Sequence, residues 1–288
     1  MILSEMPVIE VKNLSHTYLP GTPLEVVSLK NVNLQLFKNE TVGIIGPAGS
    51  GKSTLLHHLN GLLRPMHGDV QIKGISVSGW SGDIRVMRQK IGLVFQNPEN
   101  QLFKQYAGDD VAFGPRNMNL SQKEVRKRVR NAMKMVGLPF SYKDRLTAGL
   151  SLGEKRRLAL AGVLAMEPQV LVLDEPTASL DPEGRRELLG ILSGWRSEGE
   201  KAIVIASHNM EDIVDLSSRV YVLVSGKILL HGATREVFSH YDLLVQNSLS
   251  VPAAAEVVLK LARRGYSVST DVLNIEEAAR EIKGLFHA

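Results

Sequence analysis

The stretch G-I-I-G-P-A-G-S-G-K-S-T, residues 43–54, decides how the rest of the chain is interpreted. It overlaps a short apolar segment at residues 41–45, which predicts a strand, and it runs into a segment at residues 52–62 that predicts a helix. Residues 46–53 fit the spacing G-x-x-x-x-G-K-[ST], in which glycines let backbone N–H groups turn inward around phosphate oxygens. The N-terminal end of the following helix favours an anion. The stretch therefore predicts a phosphate-binding loop.

Individual positions of this loop have expected roles. Lys52 would reach the β- and γ-phosphates of a nucleotide, and the Ser53 hydroxyl would hold Mg²⁺. The glycine order from Gly46 is G-x-x-G-x-G, which differs from the G-x-G-x-x-G of dinucleotide-binding folds. The residues expected to line the phosphate site are Gly46, Pro47, Ala48, Gly49, Ser50, Gly51, Lys52, Ser53 and Thr54.

A second motif, L-V-L-D-E-P at residues 171–176, is an apolar strand that ends in two acids. Buried carboxylates are costly unless they have a task or a partner. Behind a phosphate loop, Asp174 is expected to complete the Mg²⁺ coordination through water, and Glu175 to orient or deprotonate an attacking water. The alternative is that both acids only cap the next turn.

Composition sets wider limits. The 288 residues allow one large domain or two modest ones, and 44% hydrophobic with 22% charged residues is ordinary for a globular protein. The absence of cysteine excludes disulfides and thiolate metal sites. A net charge of +4 selects no class of partner. No apolar run approaches the ~18 residues of a membrane span, and the first residues lack a signal-peptide pattern, so we expect a cytoplasmic chain.

The pattern of apolar residues predicts the fold class. The runs at residues 170–173 and 202–206 do not alternate, which is typical of strands covered on both faces in a parallel α/β sheet. Further strands are predicted at residues 8–11, 32–36, 69–73 and 91–95, and a hairpin at residues 220–224 and 227–230.

Two regions are predicted to be mainly helical. In the first, about residues 97–150, Ser121 and Glu124 form a capping-box pattern before an apolar stripe. The basic residues on the other faces favour a solvated surface over a nucleic-acid site, because no aromatic residues interleave with them. The second region follows residue 239. There Asn274 is expected to cap a helix with an apolar side formed by Ile275, Ala278, Ala279, Ile282, Leu285 and Phe286.

Three further stretches surround the acidic strand: L-S-L-G-E-K-R-R at 150–157, S-L-D-P-E-G at 179–184 and I-A-S-H-N-M at 205–210. Together with Gln96 in L-V-F-Q-N-P-E-N-Q, their order resembles the ABC-type ATPases over about residues 8–235. The resemblance implies the P-loop NTPase fold of that family at residues 1–238. This consists of a RecA-like core, an antiparallel β subdomain and a helical subdomain at about 97–165. A small helical extension, residues 239–288, has dimerisation as a candidate role.

The same resemblance implies residue roles. Tyr18 would stack on adenine, Gln96 would sense Mg²⁺ and the attacking water, and His208 would contact the γ-phosphate. The signature residues Ser151, Leu152, Gly153 and Glu154 would close over ATP bound to a partner subunit, and Asp181 would link the two sites. In this arrangement ATP lies between the phosphate loop of one subunit and the signature of the other. The start of the helix at Gly153 is a second anion site in the same chain, and it agrees with this arrangement because one phosphate chain needs only one such site within its own subunit.

One departure from the family pattern concerns the signature. The usual L-S-G-G has two central glycines, whereas Leu152 replaces the first of them here. This position then loses the freedom of glycine at positive φ. We therefore hypothesise that this subunit donates a slower or asymmetric site and works beside a non-identical partner.

A finer resemblance is to the ATPase subunits of energy-coupling factor transporters. It rests on S-H-T-Y-L-P-G-T-P-L-E at 15–25, F-Q-N-P-E-N-Q-L-F at 95–103, D-D-V-A-F-G-P-R-N at 109–117, the signature stretch at 150–157 and the helical tail after residue 239. It implies a second ATPase, which is either a non-identical relative or a second copy of this chain. It also implies a transmembrane coupling protein, a membrane subunit that binds a vitamin or metal, and a place on the cytoplasmic face of the membrane. The expected coupling-protein contacts are Asn97, Gln101, Asp109 and Asp110. The two acids would pair with partner arginines or, alternatively, favour the start of a helix. A conventional importer or exporter ATPase and a nucleic-acid-linked ABC protein remain the alternatives.

Overall fold

A six-stranded and a four-stranded β-sheet organise this chain. The computed structural model describes residues 6–77, 84–178 and 180–286. The strands are β1 (Ile9–Tyr18), β2 (Val26–Leu36), β3 (Thr41–Ile45), β4 (His67–Ile72), β5 (Ile75–Ser76), β6 (Ile91–Val94), β7 (Val170–Asp174), β8 (Ala202–Ala206), β9 (Arg219–Val224) and β10 (Lys227–Ala233). The helices are α1 (Lys52–Leu59), α2 (Ile84–Lys90), α3 (Ala107–Arg116), α4 (Gln122–Met135), α5 (Leu152–Leu164), α6 (Pro182–Ser197), α7 (Met210–Leu216), α8 (Thr234–Ser239), α9 (Tyr241–Gln246), α10 (Ala253–Arg263) and α11 (Ile275–Gly284).

The larger sheet has the order β10-β9-β3-β8-β7-β6 and is parallel except for β10. All residues of β3, β7 and β8 are buried, which confirms the prediction of strands covered on both faces. Because the carboxyl ends of parallel strands meet at one edge, this topology gathers four motifs there. They are the glycine-rich loop after β3, Gln96 after β6, the acids that end β7, and His208 after β8.

The smaller sheet is antiparallel, with the order β2-β1-β4-β5. Its strand β1 is much longer than the predicted segment at residues 8–11. The register shifts between Val11 and Leu14, and Asn13 has φ +49°, so the alternation that marks a strand is broken there. This sheet shares an apolar core with α1 and one face of the larger sheet, through residues such as Ile9, Leu55 and Ile44.

The opposite face of the larger sheet packs against helices. Leu171 and Ile203 from the sheet belong to the same apolar cluster as Leu160 of α5, and the cluster continues into α3 and α4. At the start of α4, Ser121 Oγ accepts from Glu124 N at 3.3 Å. The Glu124 carboxylate accepts from Arg128 Nε at 3.2 Å instead of completing the predicted capping box. The sequence prediction for α1 was also too long, since the helix ends at Leu59.

The predicted hairpin and the predicted helix cap near the C-terminus both form. Ser225 and Gly226, at φ +48° and +79°, join β9 to β10. Asn274 Oδ1 accepts from Glu277 N at 2.9 Å and caps α11. The apolar side predicted for α11 is only partly covered, because Ile275 and Phe286 are 77% and 81% exposed. No helix within the described ranges has both the length and the apolar content needed to cross a membrane.

Candidate active site

The glycine-rich loop after β3 is folded so tightly that glycine is required at two positions. A Cβ on Gly46 would lie 2.1 Å from the Leu223 carbonyl oxygen. Gly51 has φ +105°, and a Cβ there would lie 2.5 Å from the Ser28 carbonyl oxygen. The Lys52 ammonium donates to the carbonyls of Gly46 at 2.7 Å and Pro47 at 3.1 Å, so the lysine closes the loop from within. Its burial lowers the pKa of Lys52.

The two acids that end β7 are nearly inaccessible. Asp174 is 5% exposed and Glu175 is 7% exposed. The backbone of Glu175 has φ +50°, a region that residues other than glycine rarely adopt. Burial raises the pKa of Glu175 above its usual value. Its carboxylate oxygen Oε2 accepts from the backbone N–H of His208 at 3.1 Å, which ties the end of β7 to the residue that follows β8.

The His208 ring lies between the lysine and the acid. Its Nε2 atom is 3.3 Å from Lys52 Nζ and 3.5 Å from Glu175 Oε1. The lysine ammonium can only donate, so His208 Nε2 is the acceptor in this contact. Glu175 Oε1 is then left buried without a hydrogen-bond partner. A buried carboxylate oxygen in this condition is poised to accept a proton or bind water.

A cavity of about 310 Å³ opens beside these groups. Nearly all the residues around it were expected in the site from the sequence: Ala48, Gly49, Gly51, Lys52, Ser53, Thr54, Gln96, Asp174, Glu175 and His208. The exception is Ser28 of β2, whose hydroxyl donates to Thr54 Oγ1 at 2.8 Å. Nothing in the local sequence marks Ser28, because its place depends on how two remote segments pack.

Tyr18 stands next to the cavity without lining it. The tyrosine hydroxyl lies 3.1 Å from Thr54 Oγ1, and the ring is 39% exposed at the end of β1. Behind Tyr18, the rings of His16 and His58 continue edge to face, with centroid separations of 4.6 and 4.8 Å. His58 Nδ1 donates to the Thr54 carbonyl at 2.7 Å, and burial lowers the pKa of His58 to about 4.

The signature residues lie elsewhere in the chain: none of residues 151–154 lines the cavity. Ser151 caps α5, accepting from Glu154 N at 3.3 Å, while Glu154 Oε2 accepts from Ser151 N at 2.8 Å. Hydrogen bonding of the Glu154 carboxylate to the backbone N–H and the hydroxyl of Ser151 lowers the pKa of Glu154. Gly153 has open space where a Cβ would stand, so the packing of this chain does not itself require glycine there.

The structure corrects the backbone argument made for Leu152. This residue is the first of α5 and has no positive φ, so replacing glycine by leucine strains nothing in the chain. What distinguishes the position is its side chain, which is 51% exposed beside Ser151. Asp181 lies outside the cavity as well, and its Oδ1 accepts from Gly184 N at 2.8 Å to cap α6.

The residues expected to meet a coupling protein differ in their surroundings. Asp110 Oδ2 accepts from the backbone amides of Phe103 at 2.9 Å and Lys104 at 2.8 Å, and Asp110 is 8% exposed. Asp109 pairs with Arg116 of its own helix at 3.0 Å. The Asp110 carboxylate thereby holds the segment before α3, and the pairing of either acid with partner arginines stays a prediction.

A groove of about 820 Å³ runs between α3, α5 and β6 and contains Gln101 as well as Asp110. Gln101 Oε1 accepts from Phe95 N at 3.3 Å, which fixes the turn after β6, while Asn97 is exposed. Sequence reasoning did not single out the aromatic pair of the groove. Phe103 and Phe113 are 59% and 41% exposed, and their ring centroids are 4.7 Å apart.

Arg156, another residue that sequence reasoning missed, connects three segments. It lies on α5, is 8% exposed, donates to the Ala178 carbonyl and has its Nε atom 3.6 Å from Glu99 Oε2. One indication of this role was present in the sequence: Arg156 is a charged residue four positions before Leu160, so it falls on the apolar, buried face of α5. Arg156 thereby joins the turn after Gln96 to the helix of the signature and to the segment before Asp181.

The fold and this site define a P-loop ATPase of the ABC type. The sequence model of the ABC transporter family matches residues 29–178. The chain belongs to this family, and it is an ATPase whose hydrolysis is coupled to transport.

Individual relatives agree with this assignment. The chain is 48% identical to the energy-coupling factor transporter ATP-binding protein EcfA2 of Symbiobacterium thermophilum, over 97% of this chain and 96% of that one. It is 45% identical to EcfA2 of Clostridium acetobutylicum, over 95% and 96% of the two chains. Among solved structures, it is similar to cbiO1 of Clostridium perfringens, described as part of the ABC transporter complex cbiONQ, with a TM-score of 0.74, 38% identity, and coverage of 91% of this chain and 98% of that one. The dimeric bacterial ABC transporter cassette MJ0796 matches with a TM-score of 0.72 and 31% identity, over 78% and 98% of the two chains.

Proposed function

We propose that this chain is one half of an ATP-sandwich dimer that energises an energy-coupling-factor-type importer of vitamins or metal ions. The observation that carries the proposal is the separation of two sets of residues. The phosphate loop, the acids and His208 surround one cavity, whereas Ser151, Gly153 and Asp181 lie outside it. The second set then acts on a nucleotide held by another subunit. The open space in front of Gly153 supports this, because a partner can approach the backbone there.

Within one subunit, the loop at residues 46–54 binds the phosphates and Lys52 neutralises the β- and γ-phosphate charge. Lys52 already donates to loop carbonyls, so binding requires it to exchange those hydrogen bonds for phosphate oxygens. Tyr18 flanks the loop at Thr54, where it can stack on adenine.

The residues present fit a magnesium ion. No group of three or more acidic or histidine side chains converges on a metal site within the described ranges. Mg²⁺ in nucleotide sites uses few protein ligands together with phosphate oxygens and water. Asp174, Ser53 and Gln96 all line the cavity and supply oxygen atoms for this purpose. When bound, the ion would offset the negative charge of the phosphates.

Glu175 acts as the general base toward the attacking water. Its raised pKa makes it a stronger base than an exposed glutamate, and Glu175 Oε1 has no hydrogen-bond partner. His208 holds the other oxygen through its backbone N–H. Because His208 also lines the cavity, its ring can contact the γ-phosphate of a bound nucleotide.

The groove beside β6 receives the helices of a transmembrane coupling protein. Its exposed aromatic pair, Phe103 and Phe113, offers an apolar contact surface. The turn from Gln96 to Gln101 connects the groove to the ATP cavity, because Gln101 lines the groove and Gln96 lines the cavity. The partners are a second, non-identical ATPase, the coupling protein and a membrane substrate-binding subunit. Through them the chain is held at the cytoplasmic face of the membrane. The relatives named for energy-coupling factor transporters support this choice.

Purification of the tagged chain from membranes in mild detergent tests the assembly. We expect three companions, namely a related ATPase, a coupling protein and a small membrane subunit. A dedicated pair of permeases as the only companions would instead identify a conventional ABC transporter. RNA or DNA in the complex, with hydrolysis that it stimulates and that falls steeply with salt, would support a nucleic-acid function.

The ATP roles are tested in the same complex. Glu175→Gln should bind ATP and accumulate a closed dimer, whereas Lys52→Ala should lose tight ATP binding. Lys127→Ala is a matched control, because Lys127 lies on α4 with its side chain 68% exposed. Hydrolysis at the unmodified rate by Glu175→Gln would overturn the assignment of the base.

A further inference from the structure

The most deeply buried carboxylate outside the cavity, among the described residues, belongs to Asp212 in the first turn of α7. It is 0% exposed. Its Oδ2 atom accepts from the hydroxyls of Thr177 and, at 3.2 Å, Ser207, and its Oδ1 atom accepts from the Arg185 guanidinium. A buried carboxylate with this many donors is fully compensated, and it fixes the positions of those donors in return.

The three donors come from three segments, each next to a residue with a role in the proposed function. Thr177 lies two residues after Glu175, Ser207 immediately precedes His208, and Arg185 lies on α6 four residues after Asp181. Ser207 Oγ also accepts from Asn209 N at 3.0 Å, so its hydroxyl orientation is determined from both sides. None of these residues lines the cavity itself.

We propose that Asp212 is a positioning residue that sets the geometry between the base Glu175, the sensor His208 and the cross-subunit link at Asp181. The proposal rests on the roles given to those three residues under the proposed function. Asp212 does not touch the nucleotide. It acts by holding the turn after β7, the turn after β8 and the start of α6 against one buried charge, so that the hydrogen bond from His208 N to Glu175 keeps its length of 3.1 Å.

This role makes a specific kinetic prediction. The hydrogen bonds that shape the phosphate loop, from Lys52 to Gly46 and Pro47, do not pass through Asp212. Loss of the Asp212 charge should therefore leave ATP binding intact and lower the rate of the chemical step. Small misplacements of reacting groups cost up to about 10²-fold in rate.

The test measures kcat, KM for ATP and the thermal unfolding midpoint of the assembled complex. Asp212→Asn should lower kcat about tenfold or more with KM within about twofold. The matched control is Asp215→Asn. Asp215 pairs with the same arginine at 3.1 Å but is 51% exposed and contacts neither hydroxyl, so its kcat should not change.

A second pair of variants keeps the test decisive if Asp212→Asn does not fold. Thr177→Val removes the hydroxyl at nearly constant volume, and Thr177→Ser retains it. We expect Thr177→Val to lower kcat severalfold at unchanged KM, and Thr177→Ser to keep the kcat of the unmodified complex. A merely structural role of the hydroxyl would lower the unfolding midpoint of the valine variant while its kcat stayed equal to that of the serine variant.

Equal kcat for the valine and serine variants, or a folded Asp212→Asn complex with unchanged kcat, overturns the proposal. Glu175→Gln belongs in the same series. If it is inactive while Asp212→Asn is normal, this inference alone fails. If it hydrolyses ATP at the full rate, the proposed function fails, and this inference with it.

Discussion

The backbone N–H of His208 donates to Glu175 across the edge of the parallel sheet at 3.1 Å, and the His208 ring nitrogen lies 3.5 Å from the other carboxylate oxygen. The ends of β7 and β8 are therefore joined by the residues proposed to activate water and to detect the γ-phosphate. Any movement of His208 changes the surroundings of the base, because the glutamate has only one oxygen in a hydrogen bond.

Glu175→Gln should stabilise the nucleotide-free protein at pH 7–8. Burial raises the pKa of Glu175 in the folded state, so the charged carboxylate destabilises that state once the pH exceeds the raised pKa. Below about pH 4, glutamate is largely protonated in both states and the difference vanishes. Each kcal/mol gained should raise the unfolding midpoint by about 2 °C in calorimetry. Glu187→Gln, at an exposed carboxylate on α6, is the control; equal midpoints of Glu175→Gln and unmodified protein at pH 8 would contradict this account.

Ser151→Ala should separate helix capping from catalysis. Ser151 and Ser121 each accept from a backbone N–H three residues later at 3.3 Å, so either alanine variant should lose about 1 kcal/mol of stability. Only Ser151→Ala should also lower ATP hydrolysis by the complex, by about 10²-fold at the site it completes. Denaturant unfolding and steady-state turnover measure the two effects, and similar turnover in both variants would speak against the sandwich.

Leu152→Ala should increase ATP turnover by the complex as much as Leu152→Gly does, by a few-fold if the side chain slows the site. The backbone here is already helical, so the freedom of glycine is not needed, and the exposed side chain is the part available to a partner. Turnover of the two variants with the same companion subunits is the measurement. An increase with glycine alone would restore the backbone argument, and no increase with either would remove the hypothesis of a slow site.

His58 should make stability depend on pH below neutrality. Its folded-state pKa of about 4 lies below the unfolded value, so the unfolded state binds the proton first and stability falls as the pH drops from about 6.5 toward 4. A difference of roughly 2.5 pKa units corresponds to about 3 kcal/mol. His58→Asn, which keeps a donor near the Nδ1 position, should flatten this part of the profile in denaturant unfolding. His67→Asn, at an exposed residue of β4, should not.

Local patterns in the sequence were sufficient for much of the fold. The phosphate loop was predictable because its glycines are required by the loop geometry itself, as the close approach of Gly46 to Leu223 shows. The strands β3, β7 and β8 were predictable because burial on both faces demands uninterrupted apolar runs.

Features that depend on contacts between remote segments could not be predicted in this way. Ser28 of β2 reaches Thr54 only after the smaller sheet packs against α1, and Asp110 binds amides presented by the chain before α3. The length of β1 escaped detection because its bulges interrupt the alternation. Leu152 was misjudged because a family glycine was assumed to need a left-handed backbone, whereas α5 begins at that residue.

The ties that Arg156 makes have a mechanical consequence. By holding both Glu99 and the Ala178 carbonyl, the arginine clamps the turn below the aromatic groove to the helix that carries Ser151. A displacement of the residues that line the groove would therefore tilt α5 as a rigid unit. In the proposed dimer, a coupling protein that moved this groove would act first on the nucleotide held by the opposite subunit, and each half of the assembly would then control the turnover of the other.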